Sequence, residues 1–147
     1  MTEAPQPEAW REKVSELFPE LSDVMSDPKL DMTTLWIELF NRLQIAYIPP
    51  QSDDNMLRRI YDFAAWCLMQ PDTGEARTDP SSGAAFGLFE DIPLDKKASA
   101  DLYRWISEES FRGLENIFRY HFSDEEFESF SAHFFAMKRG FTGTTSL

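Results

Sequence analysis

Apolar side chains in this chain recur with the period of an α-helix, and no comparable run alternates with period two between turn signals. That regularity limits the fold to packed helices. The last third displays it most fully. Ser123-Asp124-Glu125-Glu126 has the pattern of a capping box, in which the serine hydroxyl accepts from the third amide and Glu126 reaches back to the first. Phe127, Phe130, Phe134 and Met137 follow at i, i+3, i+7 and i+10. Lys138-Arg139-Gly140 then places positive charge at the negative helix pole and a glycine at the stop.

The same reading predicts a helix over 8–18 from Trp10, Val14, Leu17 and Phe18, ended by Pro19, which clashes with the preceding turn. A helix over 31–47 follows Asp31 as its cap, carries Leu35, Trp36, Leu39, Phe40 and Leu43, and closes at Pro49-Pro50. A third, over 53–69, puts Leu57, Ile60, Tyr61, Ala64, Cys67 and Leu68 on one face before a turn at Pro71-Asp72-Thr73-Gly74. In segment 79–92, Asp79-Pro80 reads as a cap and first-turn proline. Gly83 and Gly87 lie four apart there, a smooth strip suited to close helix approach. Asp95 starts a short helix with Ala98, Leu102 and Trp105 or Ile106, and Ser107 another with Phe111, Leu114, Ile117 and Phe118. The expectation is an all-α, single-domain bundle of about six to seven helices over 8–139, with flexible tails at 1–7 and 140–147.

A chain of 147 residues with 42% apolar content can bury a core without staples. Its single cysteine, Cys67, lies in the seven-residue apolar run 63–69 and reads as a small core hydrophobe. That run is far short of the roughly 20 residues a membrane-spanning helix needs. Residues 1–7 lack a basic region and an apolar core, so no secretory signal is read there. A soluble protein of the cytoplasm is expected.

Charge is the strongest hint of function. The balance of 26 acids against 14 Lys and Arg leaves a formal charge of −12. Many acids fall at proposed caps or first turns, where amides and the helix dipole favour them. Placement does not cancel the field, however, because helix dipoles carry no net charge. The surplus disfavours nucleic-acid backbones and anionic membranes and steers a basic protein inward.

Catalytic and metal motifs are missing. His121 and His133 belong to no paired-histidine motif, and neither has a glutamate three positions before it, as a di-iron bundle would require. No phosphate loop, nucleophile elbow or Ser/His/Asp grouping can be read. No cofactor and no metal is expected. Trp66 and Trp105 stand slightly off their apolar stripes, either filling gaps between helices or anchoring an interface. Asp62 lies one turn before Trp66, and Glu90, Asp91 and Asp95 bracket a turn, so these six residues are the expected partner-binding set.

The stretches Arg59–Leu68 and Phe118–Phe127, linked by Phe89-Glu90-Asp91-Ile92-Pro93 and Arg104-Trp105-Ile106-Ser107, resemble segments of small acidic helical bacterial proteins of uncharacterised function. The resemblance covers about residues 53–135 and brings no catalytic residues with it. Compact acidic proteins of this kind are similar to immunity proteins that neutralise bacterial toxins. The expectation is a non-enzymatic module that binds a basic toxin or effector domain. A structural or regulatory adaptor forming oligomers is the first alternative, and an enzyme with an unrecognised carboxylate site the second.

Overall fold

The computed structural model describes residues 9–71 and 79–147; the expected tail at 1–7, Glu8 and the turn residues 72–74 lie outside them. Among the described residues the fold is all-α, with no strand. In chain order the helices are α1 (Ala9–Leu17), α2 (Ser22–Met25), α3 (Met32–Ala46), α4 (Asp54–Leu68), α5 (Pro80–Ala84), α6 (Lys96–Asp101), α7 (Glu108–Gly113), α8 (Glu115–Phe118) and α9 (Asp124–Arg139).

These nine exceed the expected six to seven for two reasons. Residues 19–25 form a 3-10 turn and α2 where the apolar pattern predicts no helix, and the segment after Ser107 breaks into α7 and α8. Apolar periodicity carries no information on such breaks. The long helices keep their expected caps. Asp31 accepts from Thr34 N at 2.9 Å and Asp53 from Met56 N at 3.2 Å. At Ser123 both bonds of the capping box form, at 3.2 and 3.0 Å.

Two aromatic groups organise the core. In the first half Trp36 of α3 stacks on Phe63 of α4, which meets Phe18 edge-on. In the second half the ring of Phe111 packs among Phe118, Phe127, Phe130, Phe134 and Phe135, with Phe134 stacked at 4.2 Å. Cys67 is buried as expected, and burial pushes its thiol well above the ordinary range, which keeps it a protonated core side chain.

The glycine strip does bring helices close. A Cβ on Gly87 would run into Cβ of Trp36 and lie 2.7 Å from its Cγ. At Gly83 the nearest atom is the terminal Cε of Met32, at 3.0 Å, which can swing aside. Gly87→Ala is therefore expected to cost about 1–3 kcal/mol as an overpacking change. At Gly83 the better helix propensity of alanine offsets much of the crowding. Equal losses for the two variants in urea unfolding would show that α3 is not held against this strip.

Residues 144–147 depart from the expected loose tail. Ser146 N and Leu147 N donate to Trp105 O at 2.9 and 3.3 Å, and Ser107 N donates to Leu147 O at 2.8 Å. Arg58 of α4 donates to Ser146 Oγ and to Thr144 O. Unpaired backbone groups at the Trp105–Ser107 bend supplied partners that apolar periodicity does not reveal.

Asp101 forms the densest polar junction. Its carboxylate accepts from Tyr47 Oη at 2.6 Å, Trp105 Nε1 at 3.1 Å, and Arg104 through Nε at 2.5 Å and NH2 at 2.8 Å. Arg104 also reaches Asp54 at 2.9 Å, so the network ties α4, α6 and the chain after α3. Burial first, then Tyr61 and the Asp101 bond, raise the Tyr47 hydroxyl far above the ordinary phenol range, so it serves as a donor.

Some cations serve as ties to backbone carbonyls. Arg11 donates to the carbonyls of Met25, Asp27, Pro28 and Leu30. Lys97 donates to Tyr47 O at 2.9 Å, and Lys138 to Tyr103 O and Ile106 O at 3.0 Å each. Others pair with acids, among them Lys13 with Glu16, Arg42 with Glu38, Arg59 with Glu20, Arg112 with Glu108 and Arg119 with Glu115.

Candidate functional site

A groove of about 580 Å³ runs between α3 and the segment that follows α5. Its construction begins with the glycines. With no side chain at 83 and 87, α3 approaches the backbone and the groove gains a smooth wall. Ile37 on one side is 68% exposed and Phe86 on the other 51% exposed, an apolar pair left open to solvent. Beneath the wall lies Trp36, whose Nε1 is buried and has no hydrogen-bond partner among the described residues.

Carboxylates edge this groove. Glu38 lines it and pairs with Arg42 at 3.2 Å, while Asp91 lines its other end. Gln44, also a lining residue, donates to Asp95 at 3.3 Å, and Asp95 in addition caps α6 through Ala98 N. Glu90 precedes Asp91 directly.

The positions of Glu90 and Asp91 follow from an irregularity in the helix. Residues Ala85–Phe89 form a π turn, and Glu90 N donates to Ala85 O, five residues back, at 2.9 Å. The wider turn resets the phase in which the next side chains leave the chain. Phe89 then packs edge-on against Phe118 of α8 at 6.1 Å, which draws the turn Arg119–His121 alongside. His121 Nε2 consequently lies 2.9 Å from Glu90 Oε1. One ligand-type atom each of Glu90, Asp91 and His121 falls within 4.8 Å of the others. Burial, reinforced by Glu90, raises the Asp91 carboxyl above its ordinary range, against a smaller opposite pull from His121.

The six expected binding residues are thus divided. Asp91 lines the groove, Glu90 precedes it and bonds His121, and Asp95 is joined to the groove only through Gln44. Asp62 and Trp66 lie half-buried on α4, with Trp66 stacked on Phe63 at 6.0 Å, and no described hydrogen bond or ring contact joins them to the groove residues. Trp105 is a correction. At 2% exposure it belongs to the core, stacked on Tyr61 at 5.6 Å with its N–H given to Asp101, so it cannot anchor an interface. The choice left open between gap filler and anchor resolves to the former for Trp105.

Sequence reasoning overlooked Ile37 and the His121–carboxylate meeting. Ile37 could have been noticed as an isoleucine outside the Leu35/Trp36/Leu39/Phe40/Leu43 stripe. The meeting carries no local signal, since His121 and Glu90 are 31 positions apart. His133, the second histidine, bonds Ala100 O at 2.9 Å from an exposed position on α9. No helix among the described residues is long and apolar enough to cross a membrane. Comparison with protein-family models, curated proteins and solved structures finds no match for the chain.

Proposed function

We propose that this chain is a non-enzymatic protein-binding module, of the immunity or antitoxin type, that receives a basic toxin or effector domain in the groove between α3 and the π turn. One observation carries the reading: exposed Ile37 and Phe86 share a groove with Glu38 and Asp91, with Asp95 held at its lining residue Gln44, a pairing of apolar anchor with anionic edge. Such a surface suits a partner segment with an apolar stripe flanked by lysine or arginine. The net charge of −12 extends the attraction beyond the groove, and the inward use of Arg11, Lys97 and Lys138 leaves it in place. The same field disfavours nucleic acid and anionic membrane as ligands.

The test is affinity for a basic partner isolated with the full chain from its native host. Phe86→Ala should weaken binding by about 2 kcal/mol, roughly 30-fold, as a central apolar anchor does. Glu90→Gln with Asp91→Asn should slow association and flatten its dependence on salt. Binding that ignores both salt and these changes contradicts the proposal.

The adaptor alternative has its own support in Ile37, Ile45 and Ile48, all exposed along the outer side of α3 and its exit. It requires a concentration-dependent oligomer in light scattering. The carboxylate-enzyme alternative keeps a place because a polar-edged cavity of sufficient size is present at Asp91.

A further inference from the structure

We propose that Glu90, Asp91 and His121 together bind one divalent transition-metal ion, with Zn2+ as the representative of the class. The proposal does not rest on the protein-binding reading. It starts from geometry: an imidazole nitrogen and two carboxylate oxygens from two separate segments converge within 4.8 Å. Donors around a single Zn2+ sit at about 2.0–2.2 Å from it, hence roughly 3–4 Å from one another. Glu90 and His121 are already at 2.9 Å, so only small side-chain rotations are needed to admit an ion between them.

The donor set selects the ion. One nitrogen with two oxygens suits Zn2+ or Mn2+ better than Ca2+ or Mg2+, which favour oxygen alone, and the lack of a thiolate disfavours Cu(I). Cys67 offers no competing ligand because it is buried in the core. Two anionic carboxylates and a neutral imidazole balance the 2+ charge. Three protein donors also leave a coordination position open, the arrangement of an accessible site.

Supports outside the cluster hold the donors in place. The π turn fixes Glu90 through the hydrogen bond its N–H donates to Ala85 O, and the Phe89–Phe118 contact carries His121 to it. The ring of Tyr120 stands edge-on to the His121 ring at 4.9 Å. An ion can enter, since the His121 side chain is 37% exposed and Asp91 opens on the groove.

Titration of the full chain with ZnCl2 in a calorimeter at neutral pH tests this. One equivalent is expected to bind saturably, raise the melting temperature and be withdrawn by EDTA. His121→Gln and Asp91→Asn should each weaken binding by at least about tenfold, the lower bound known even for second-layer changes around metals. His133→Gln should bind as the unaltered chain does. Co2+ in place of Zn2+ should give visible absorption that His121→Gln abolishes. Because His121 is exposed and Asp91 lies at the groove, these variants should retain their far-ultraviolet circular dichroism. Absence of a saturable equivalent overturns the proposal, as does equal binding by His121→Gln and the unaltered chain, which would mark adventitious capture by surface acids.

Discussion

Phe111→Ala should lower the free energy of unfolding by about 3–5 kcal/mol, the range for removing a phenylalanine from a packed core. The ring touches five other phenylalanines drawn from α8 and α9, with centroid distances from 4.2 to 6.2 Å. Alanine there leaves a cavity that rigid neighbours cannot fill, and each lost ring pair adds to the burial term. Domain stabilities are commonly about 5–15 kcal/mol, so this one change removes a large share. Urea unfolding followed by circular dichroism measures it, with the slope expected to remain constant. A loss below about 1 kcal/mol would mean that the cluster relaxes freely and is not the packed centre of the second half.

Asp101→Ala should be the second most damaging change, costing about 2–4 kcal/mol after allowance for partial solvent access, since breaking a buried ion pair costs about 3–5. Its removal strands Tyr47 Oη and Trp105 Nε1 and takes away one of the two carboxylates of Arg104. Asp101→Asn should cost less, because an amide oxygen can still accept from Tyr47. The neighbouring Asp54 adds a pH signature. The bond from Arg104 is the main cause holding its carboxyl below the ordinary range. A group lowered in this way stabilises the fold above its unfolded pKa, and that contribution is lost as pH falls through the folded value. Stability should therefore decline on acidification below about pH 4, near the ordinary carboxylate range. In Arg104→Met, a comparison of unfolding at neutral and acid pH should show that part of the decline gone.

Much of the architecture could be read before any coordinates. Asp31, Asp53 and Ser123 announce their helices because a cap is a short-range arrangement of side chain and amide. Gly83 and Gly87 pointed to close approach for a similar reason: their spacing puts both on one face. What escaped was everything created by distant meetings. The π turn at Ala85–Phe89 shares its apolar pattern with an ordinary helix, so the sequence does not distinguish the two. Trp105 looked marginal on a helical wheel, yet Tyr61 and Asp101 enclose it from elsewhere in the chain. Of the expected binding residues, Asp91 lines the groove, where packing also sets Ile37 and Phe86, while Glu90 meets His121 beside it.

The hydrogen bonds of residues 144–147 have a mechanical consequence. This run is held on one side by Arg58, from the helices around Trp36, and on the other by the backbone of Trp105 and Ser107, which leads into the phenylalanine cluster. Four residues thus add a clasp between two aromatic centres that the Asp101–Arg104 network also joins. Removing the clasp is expected to loosen the coupling between the centres, seen as a broader unfolding transition.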